Sequence, residues 1–119
     1  MWLKHLALLL YAGQLFLGGW QQAQEPSPRA ERARSSGLAV PDELVRASGW
    51  AMIAGAIALH VPRLRRLAAI GLAAQLVPVT WVGHRFWEAE GPQQAQHKIH
   101  FFKNVSMIGA ALYIAATAD

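Results

Sequence analysis

Hydrophobic residues in this chain are gathered into four long runs that contain few charged side chains. The runs cover residues 2–20, 44–61, 67–83 and 99–118, and most polar residues lie in the connections between them. A helix that crosses the roughly 30 Å hydrocarbon core of a bilayer needs about 20 mostly apolar residues, and about 17–25 are tolerated. The pattern therefore predicts an all-α integral membrane four-helix bundle, with residues 1–119 forming a single domain.

The first run also has an alternative interpretation, as a secretory signal peptide. Lys4 precedes the apolar stretch 6–17, as a basic residue does in such signals. However, Gln21 and Gln22 follow the run, and a cleavage site of small residues is not evident there. We therefore expect the first run to be retained as a transmembrane helix.

The first connection, residues 21–43, has its own local pattern. An Arg/Glu/Ala stretch at 29–34 predicts a short surface helix. Pro41, followed by two acidic residues, is typical of a helix start, because proline suits the first turn and acids suit the positive end of the helix dipole. This position therefore predicts the beginning of the second long helix.

Basic residues near the ends of the runs bear on membrane orientation. The segment 62–66 predicts a tight hairpin and holds three arginines in five residues. Short loops rich in Lys and Arg favour the cytoplasmic side. The opposite face carries more basic residues in total, but they are spread over longer segments that also hold most of the acids. We therefore expect both termini in the cytoplasm.

Composition supports a membrane protein and excludes several chemistries. The chain is 54% hydrophobic and 15% charged, whereas an average soluble domain is roughly 25% charged. It has no cysteine, which excludes disulfides, zinc–thiolate sites and c-type haem attachment. The basic residues behind the net charge of +4 lie singly or in short groups between the apolar runs, with no long basic stretch, so we expect no nucleic-acid partner.

Polar and small residues inside the runs predict how the helices pack. Gln14 and Gln75 lie near mid-span, where an unpaired amide is costly, so each is expected to bond to a neighbouring helix. Small residues allow close helix approach in membranes. Ala47, Ala51 and Gly55 have the four-residue spacing of such a contact stripe.

The most informative side chains lie where the third run ends and the fourth begins. His100, Lys103 and Asn104 have i, i+3 and i+4 spacing and therefore share one helix face. An antiparallel third helix brings His84 and Trp87 to the same level. These five residues are our candidate ligand-binding site, with no catalytic residue and no metal ligand predicted. The alternative is an interfacial aromatic belt with polar residues that stabilise the helix ends.

The same stretch resembles the DoxX family of small bacterial membrane proteins. The pattern is His-x-Phe-Trp, an acidic turn with proline, His-Phe-x-Lys-Asn, and an apolar helix with glycine. It is carried by His84, Phe86, Trp87, Glu88, Pro92, His100, Phe101, Lys103, Asn104 and Gly109. The resemblance implies a four-helix fold in the bacterial inner membrane. One departure is Gly18-Gly19-Trp20, where family members often have a histidine-glycine pair.

The resemblance also implies a role beside membrane-linked redox or stress enzymes. Some members resemble subunits of quinone-linked sulfur oxidoreductases, and others resemble partners of redox or detoxification enzymes. We expect an accessory subunit that contacts the lipid bilayer, an oxidoreductase or detoxification enzyme, and quinone. Since the chain lacks cysteine and any flavin or iron–sulfur motif, we do not expect an enzyme acting on its own.

Three alternatives remain open at this point. One is a structural scaffold without a ligand, and another is a small-solute permease subunit, which would require a homo-oligomer. The third is haem held by histidines from facing helices. Haem is disfavoured because His97 and His100 are only three residues apart and His97 is expected to lie in a loop.

Overall fold

The computed structural model describes residues 1–118, which form five α-helices and one 3₁₀ segment. The helices are α1 (Trp2–Gln24), α2 (Ser27–Ser35), α3 (Asp42–Ala58), α4 (Arg65–Gly83) and α5 (Pro92–Thr117), and the 3₁₀ segment is Phe86–Glu88. No strand occurs within this part of the chain. The predicted all-α class is therefore confirmed, and α1, α3, α4 and α5 correspond to the four apolar runs.

Helix boundaries differ from the hydrophobic runs where a polar segment is itself helical. α1 continues to Gln24, four residues beyond the predicted end, and α5 begins at Pro92 instead of Ile99. Gly91 has a positive φ of 61° and Pro92 occupies the first turn, which together start α5 early. The predicted start at Ile99 was wrong because hydropathy marks the apolar part of a helix, whereas Gln and Ala extend the helix through favourable propensity.

Two segments meet the length and composition expected of a membrane span. They are Arg65–Glu88, which contains α4, and Pro92–Thr117, which is α5. α1 and α3 fall outside this group, and α3 has only 17 residues. By length and hydropathy, therefore, α4 and α5 qualify as candidate spans, whereas α1 and α3 do not.

The long helices pack as two pairs. α1 lies along α3 and α4 lies along α5, while contacts between α3 and α4 join the pairs. Buried side chains from α1, α3 and α4, including Leu15, Met52, Leu59 and Leu72, form the centre of the bundle. Large apolar side chains also cover the outside, with Leu10 70% and Leu67 71% exposed. Such an apolar exterior is unfavourable in water and suits contact with lipid.

The predicted interhelical hydrogen bond is present for one of the two mid-span glutamines. Gln75 on α4 donates to the carbonyl oxygen of Ser48 at 2.6 Å and to its hydroxyl at 2.8 Å. Gln14 is exposed and has no side-chain hydrogen bond to any described residue, so that prediction was wrong. Tyr11 instead ties α1 to α5, donating to the carbonyl oxygen of Met107 at 2.6 Å.

The predicted stripe of small residues on α3 is corrected at its two alanines, whereas Gly55 does pack against α4. Ala47 and Ala51 are exposed, whereas Gly49 is buried against α1. A Cβ atom added to Gly49 would lie 2.7 Å from the carbonyl oxygen of Gly19, and one added to Gly19 would lie 2.7 Å from the carbonyl oxygen of Gly49. The α1–α3 contact therefore depends on two glycines whose backbones approach each other directly.

Candidate functional site

Three histidines meet at the end of α4 and the beginning of α5. His84 follows the last residue of α4, and its ring stacks on His100 with 5.2 Å between ring centroids. Nδ1 of His84 lies 3.4 Å from Nδ1 of His97, so one of these nitrogens donates and the other accepts. We refer to His84, His97 and His100 as the histidine cluster.

His97 belongs to this cluster although it was assigned to a loop from the sequence. Because α5 begins at Pro92, His97 and His100 lie on the same helix with i, i+3 spacing. That assignment was therefore wrong. The available signal was Gly91-Pro92, a combination of helix-start residues that allows α5 to begin seven residues before the apolar run.

The predicted site residues Lys103 and Asn104 lie on different sides of α5. Asn104 is buried, with 6% of its surface exposed, whereas the adjacent Lys103 is exposed. Successive residues of an α-helix differ by about 100° around its axis, so neighbours rarely face the same way. Lys103 is therefore exposed, as His100 is, while Asn104 faces the bundle.

Trp87 lies in an aromatic cluster with Trp81, Phe86, Phe101 and Phe102. The Trp81 and Trp87 rings are 5.1 Å apart, and the Arg85 guanidinium lies 5.1 Å and 5.3 Å from their centroids. Arg85 also pairs with Glu88 at 2.5 Å. Of the predicted site residues, His84 and His100 therefore lie in the histidine cluster, and Trp87 lies in this neighbouring aromatic cluster.

A cavity that the sequence did not predict lies between α2, α3 and α4, with His84 in its wall. Its volume is about 340 Å³, within the range of about 300–1,000 Å³ for small-molecule sites. The polar lining residues are Gln22, Arg29, Arg32, Ser48, Gln75 and His84. The remaining wall is formed by apolar residues of α2, of the connection between α2 and α3, and of α3 and α4. We refer to it as the α2 cavity.

The predicted surface helix forms one side of this cavity. Ala30 and Ala33 of α2 are buried at 1% and 4% exposure, which fixes the face that α2 turns toward the bundle. Gly37, with a φ of 89°, follows the end of α2, and Ser27 donates to the carboxylate of Asp42 at 2.7 Å. The hydrogen bond ties the beginning of α2 to the beginning of α3, and the turn at Gly37 ends α2.

The α2 cavity has a positive electrostatic character. Burial, followed by the neighbouring Arg32 guanidinium, lowers the pKa of Arg29 below its ordinary value. The cavity lining contains both arginines and no acidic residue within the described chain. Charge of one sign beside low-dielectric walls focuses the field toward an ion of the opposite sign.

Comparison with protein families gives one decisive result. Residues 5–85 match the family model described as DoxX. The chain belongs to the DoxX family. DoxX proteins are membrane proteins, in agreement with the two candidate spans. The match covers α1 to α4 and ends just after His84, whereas the sequence resemblance was drawn mainly from the segment that follows. No curated protein and no solved structure matches this chain.

Proposed function

We propose that this DoxX protein is a multi-pass accessory subunit of a membrane-linked oxidoreductase or detoxification enzyme in the bacterial inner membrane. We also propose that the histidine cluster contacts the headgroup of a quinone. The observation that carries the proposal is the meeting of three imidazoles from two helices at one end of the bundle, beside an aromatic cluster. Both termini and the α3–α4 hairpin are proposed to face the cytoplasm.

The chemistry of the histidine cluster suits a quinone headgroup. Quinone carbonyl oxygens accept hydrogen bonds, which imidazole N–H groups and a lysine ammonium can donate. His100 and Lys103 are exposed, so a ligand can reach them from outside the bundle. Trp81 is 53% exposed and offers an aromatic surface for the ring.

Electron transfer in this proposal belongs to the partner enzyme. The chain has no cysteine and no flavin or iron–sulfur motif that would carry electrons. A subunit of this kind contributes a quinone contact and a membrane anchor to an enzyme that holds the redox cofactor. The partner is accordingly expected to contain a flavin or an iron–sulfur cluster.

Purification in mild detergent tests the proposed partnership. We expect the tagged full chain to co-purify, after gel filtration, with a protein that shows flavin or iron–sulfur absorbance. The matched control is another multi-pass membrane protein with the same tag and expression level. Recovery of the DoxX chain without such a protein, from cells grown under both respiratory and oxidative-stress conditions, would contradict the accessory-subunit proposal.

Quenching of tryptophan fluorescence tests the quinone contact. In a Trp2→Phe, Trp20→Phe, Trp50→Phe variant, emission comes from Trp81 and Trp87 beside the histidine cluster. We expect a decyl-benzoquinone to quench this emission saturably, and His100→Leu to weaken apparent binding about fivefold, since a lost hydrogen bond is worth about 1 kcal/mol.

His60→Leu provides the matched control for that experiment, because His60 is also exposed but lies beyond the other end of α3. Decylbenzene controls for partition of the alkyl chain into the detergent micelle or bilayer. Equal quenching in the His100→Leu and His60→Leu proteins, or equal quenching by decylbenzene, would contradict a quinone contact and favour the scaffold alternative.

A further inference from the structure

Two arginines of α2 line the α2 cavity without a charged partner. Arg29 and Arg32 are one helical turn apart, and both are part of the cavity wall. Neither side chain forms an ion pair or a hydrogen bond with any residue in the described part of the chain. Arg29 is half-buried and Arg32 is exposed, so solvent screens part of their mutual repulsion, and an anion bound between them would offset the rest.

The carboxylates on α2 and at the beginning of α3 interact with residues other than the two cavity arginines. Glu31 pairs with Arg34 at 3.4 Å, and Glu43 lies 3.8 Å from Arg46. Asp42 accepts a hydrogen bond from Ser27 at 2.7 Å. The acidic residues at the beginning of α3 and on α2 therefore interact with other side chains. The guanidinium N–H groups of Arg29 and Arg32 remain available to a ligand.

The neutral polar groups of the cavity are also largely occupied by the protein. Gln22 donates to the carbonyl oxygen of Val45 at 2.8 Å, and Gln75 donates to Ser48. These bonds hold α1, α3 and α4 together around the cavity. The guanidinium groups are therefore the principal donors that remain for a bound molecule.

The rest of the wall is apolar and continues toward the middle of the helices. Leu44 and Val45 contribute from α3, and Pro78, Val79 and Val82 contribute from α4. A small, fully hydrated anion gains nothing from such a wall, whereas an alkyl chain is stabilised by leaving water. The lining thus combines a cationic end with an apolar side.

We propose that the α2 cavity binds an anionic amphiphile, with its carboxylate or phosphate headgroup on Arg29 and Arg32 and the first part of its acyl chain along α3 and α4. Guanidinium groups match such headgroups because they donate two parallel hydrogen bonds to two oxygens. The α2 helix places both guanidiniums over the cavity and so defines the headgroup position. This site is separate from the proposed quinone contact, although His84 borders both.

Binding to the full chain in phosphatidylcholine nanodiscs tests this proposal. Laurate, dodecyl phosphate, neutral dodecanol and inorganic phosphate are the probes. We expect laurate or dodecyl phosphate to bind saturably and Arg29→Gln/Arg32→Gln to weaken that binding at least about tenfold. Arg34→Gln is the matched control on the same helix, since Arg34 pairs with Glu31 and does not line the cavity. His100→Leu should leave laurate binding unchanged.

Arginine modification of the unsubstituted protein provides a measurement that does not depend on variant folding. Laurate or dodecyl phosphate should protect Arg29 and Arg32 from phenylglyoxal several-fold while Arg34 continues to react. The relative effects of laurate and dodecyl phosphate distinguish a fatty acid from a phospholipid-type headgroup. Equal binding of dodecanol, equal loss in Arg34→Gln, or binding of inorganic phosphate without either amphiphile would overturn the proposal.

Discussion

Gly49→Ala is expected to destabilise the protein by about 2 kcal/mol, because the added methyl group would force α1 away from α3. The new Cβ atom would lie 2.7 Å from the carbonyl oxygen of Gly19 and 2.8 Å from the backbone nitrogen of Ala23. Both atoms belong to the backbone of α1, so no side-chain rotation relieves the clash. Overpacking typically costs about 1–3 kcal/mol.

The effect is measured by titrating the purified protein with SDS and following helix content and tryptophan emission. Gly13→Ala is the matched control, since Gly13 lies on the opposing helix α1 and a Cβ atom there meets nothing within 4 Å. Alanine favours a helix by up to about 1 kcal/mol over glycine, so Gly13→Ala should be neutral or stabilising. Equal stability of the two variants would show that α1 and α3 do not pack through Gly49.

The Gly19–Gly49 contact shows where sequence reasoning about this fold succeeds and fails. The runs of apolar residues predict four long helices because burial in lipid or in a core requires long apolar segments. They do not predict which face of α3 meets α1, since small residues are frequent all around that helix. Ala47 and Ala51 have the right spacing but are exposed, whereas Gly49 is buried.

The sequence likewise predicts only part of the candidate site. His84 and His100 could be brought together from the sequence, because an antiparallel α4–α5 pair places them at the same level. His97 was missed because the polar segment that starts α5 carries no hydrophobic signal. The α2 cavity was missed because its formation depends on how a short amphipathic helix docks, through Ala30 and Ala33, onto helices distant in sequence.

Arg65→Met is expected to lower stability by about 2 kcal/mol, although Arg65 belongs to the basic hairpin interpreted from the sequence as an orientation signal. Its side chain is only 6% exposed, and Nε donates to the carbonyl oxygen of Leu59 at 2.7 Å. Methionine has a similar length but no donor, so the buried carbonyl oxygen of Leu59, just after α3, loses its charge-assisted hydrogen bond. Removal of Nη2 of Arg65, which is buried without a partner, offsets part of that loss. A buried unsatisfied carbonyl costs about 1–3 kcal/mol.

Arg63→Met is the matched control, because Arg63 is exposed in the same hairpin. It should leave SDS-induced unfolding within about 0.5 kcal/mol of the parent protein, as is usual for surface substitutions. Equal destabilisation by the two substitutions would show that Arg65 has no special role at the end of α3. Arg66 is a third case, since it donates to the carbonyl oxygens of Ala115 and Ala118 and so ties the hairpin to the end of α5.

Membrane orientation is tested in a separate experiment, in which single cysteines are introduced into this cysteine-free chain. We expect a membrane-impermeant maleimide to label Ser35→Cys in intact cells and Arg63→Cys only after the membrane is opened. The reverse pattern would overturn the proposed orientation without affecting the Arg65 prediction. Since Arg65 is buried and Arg66 is bonded to α5, Arg63 is the hairpin arginine most free to act as a cytoplasmic charge.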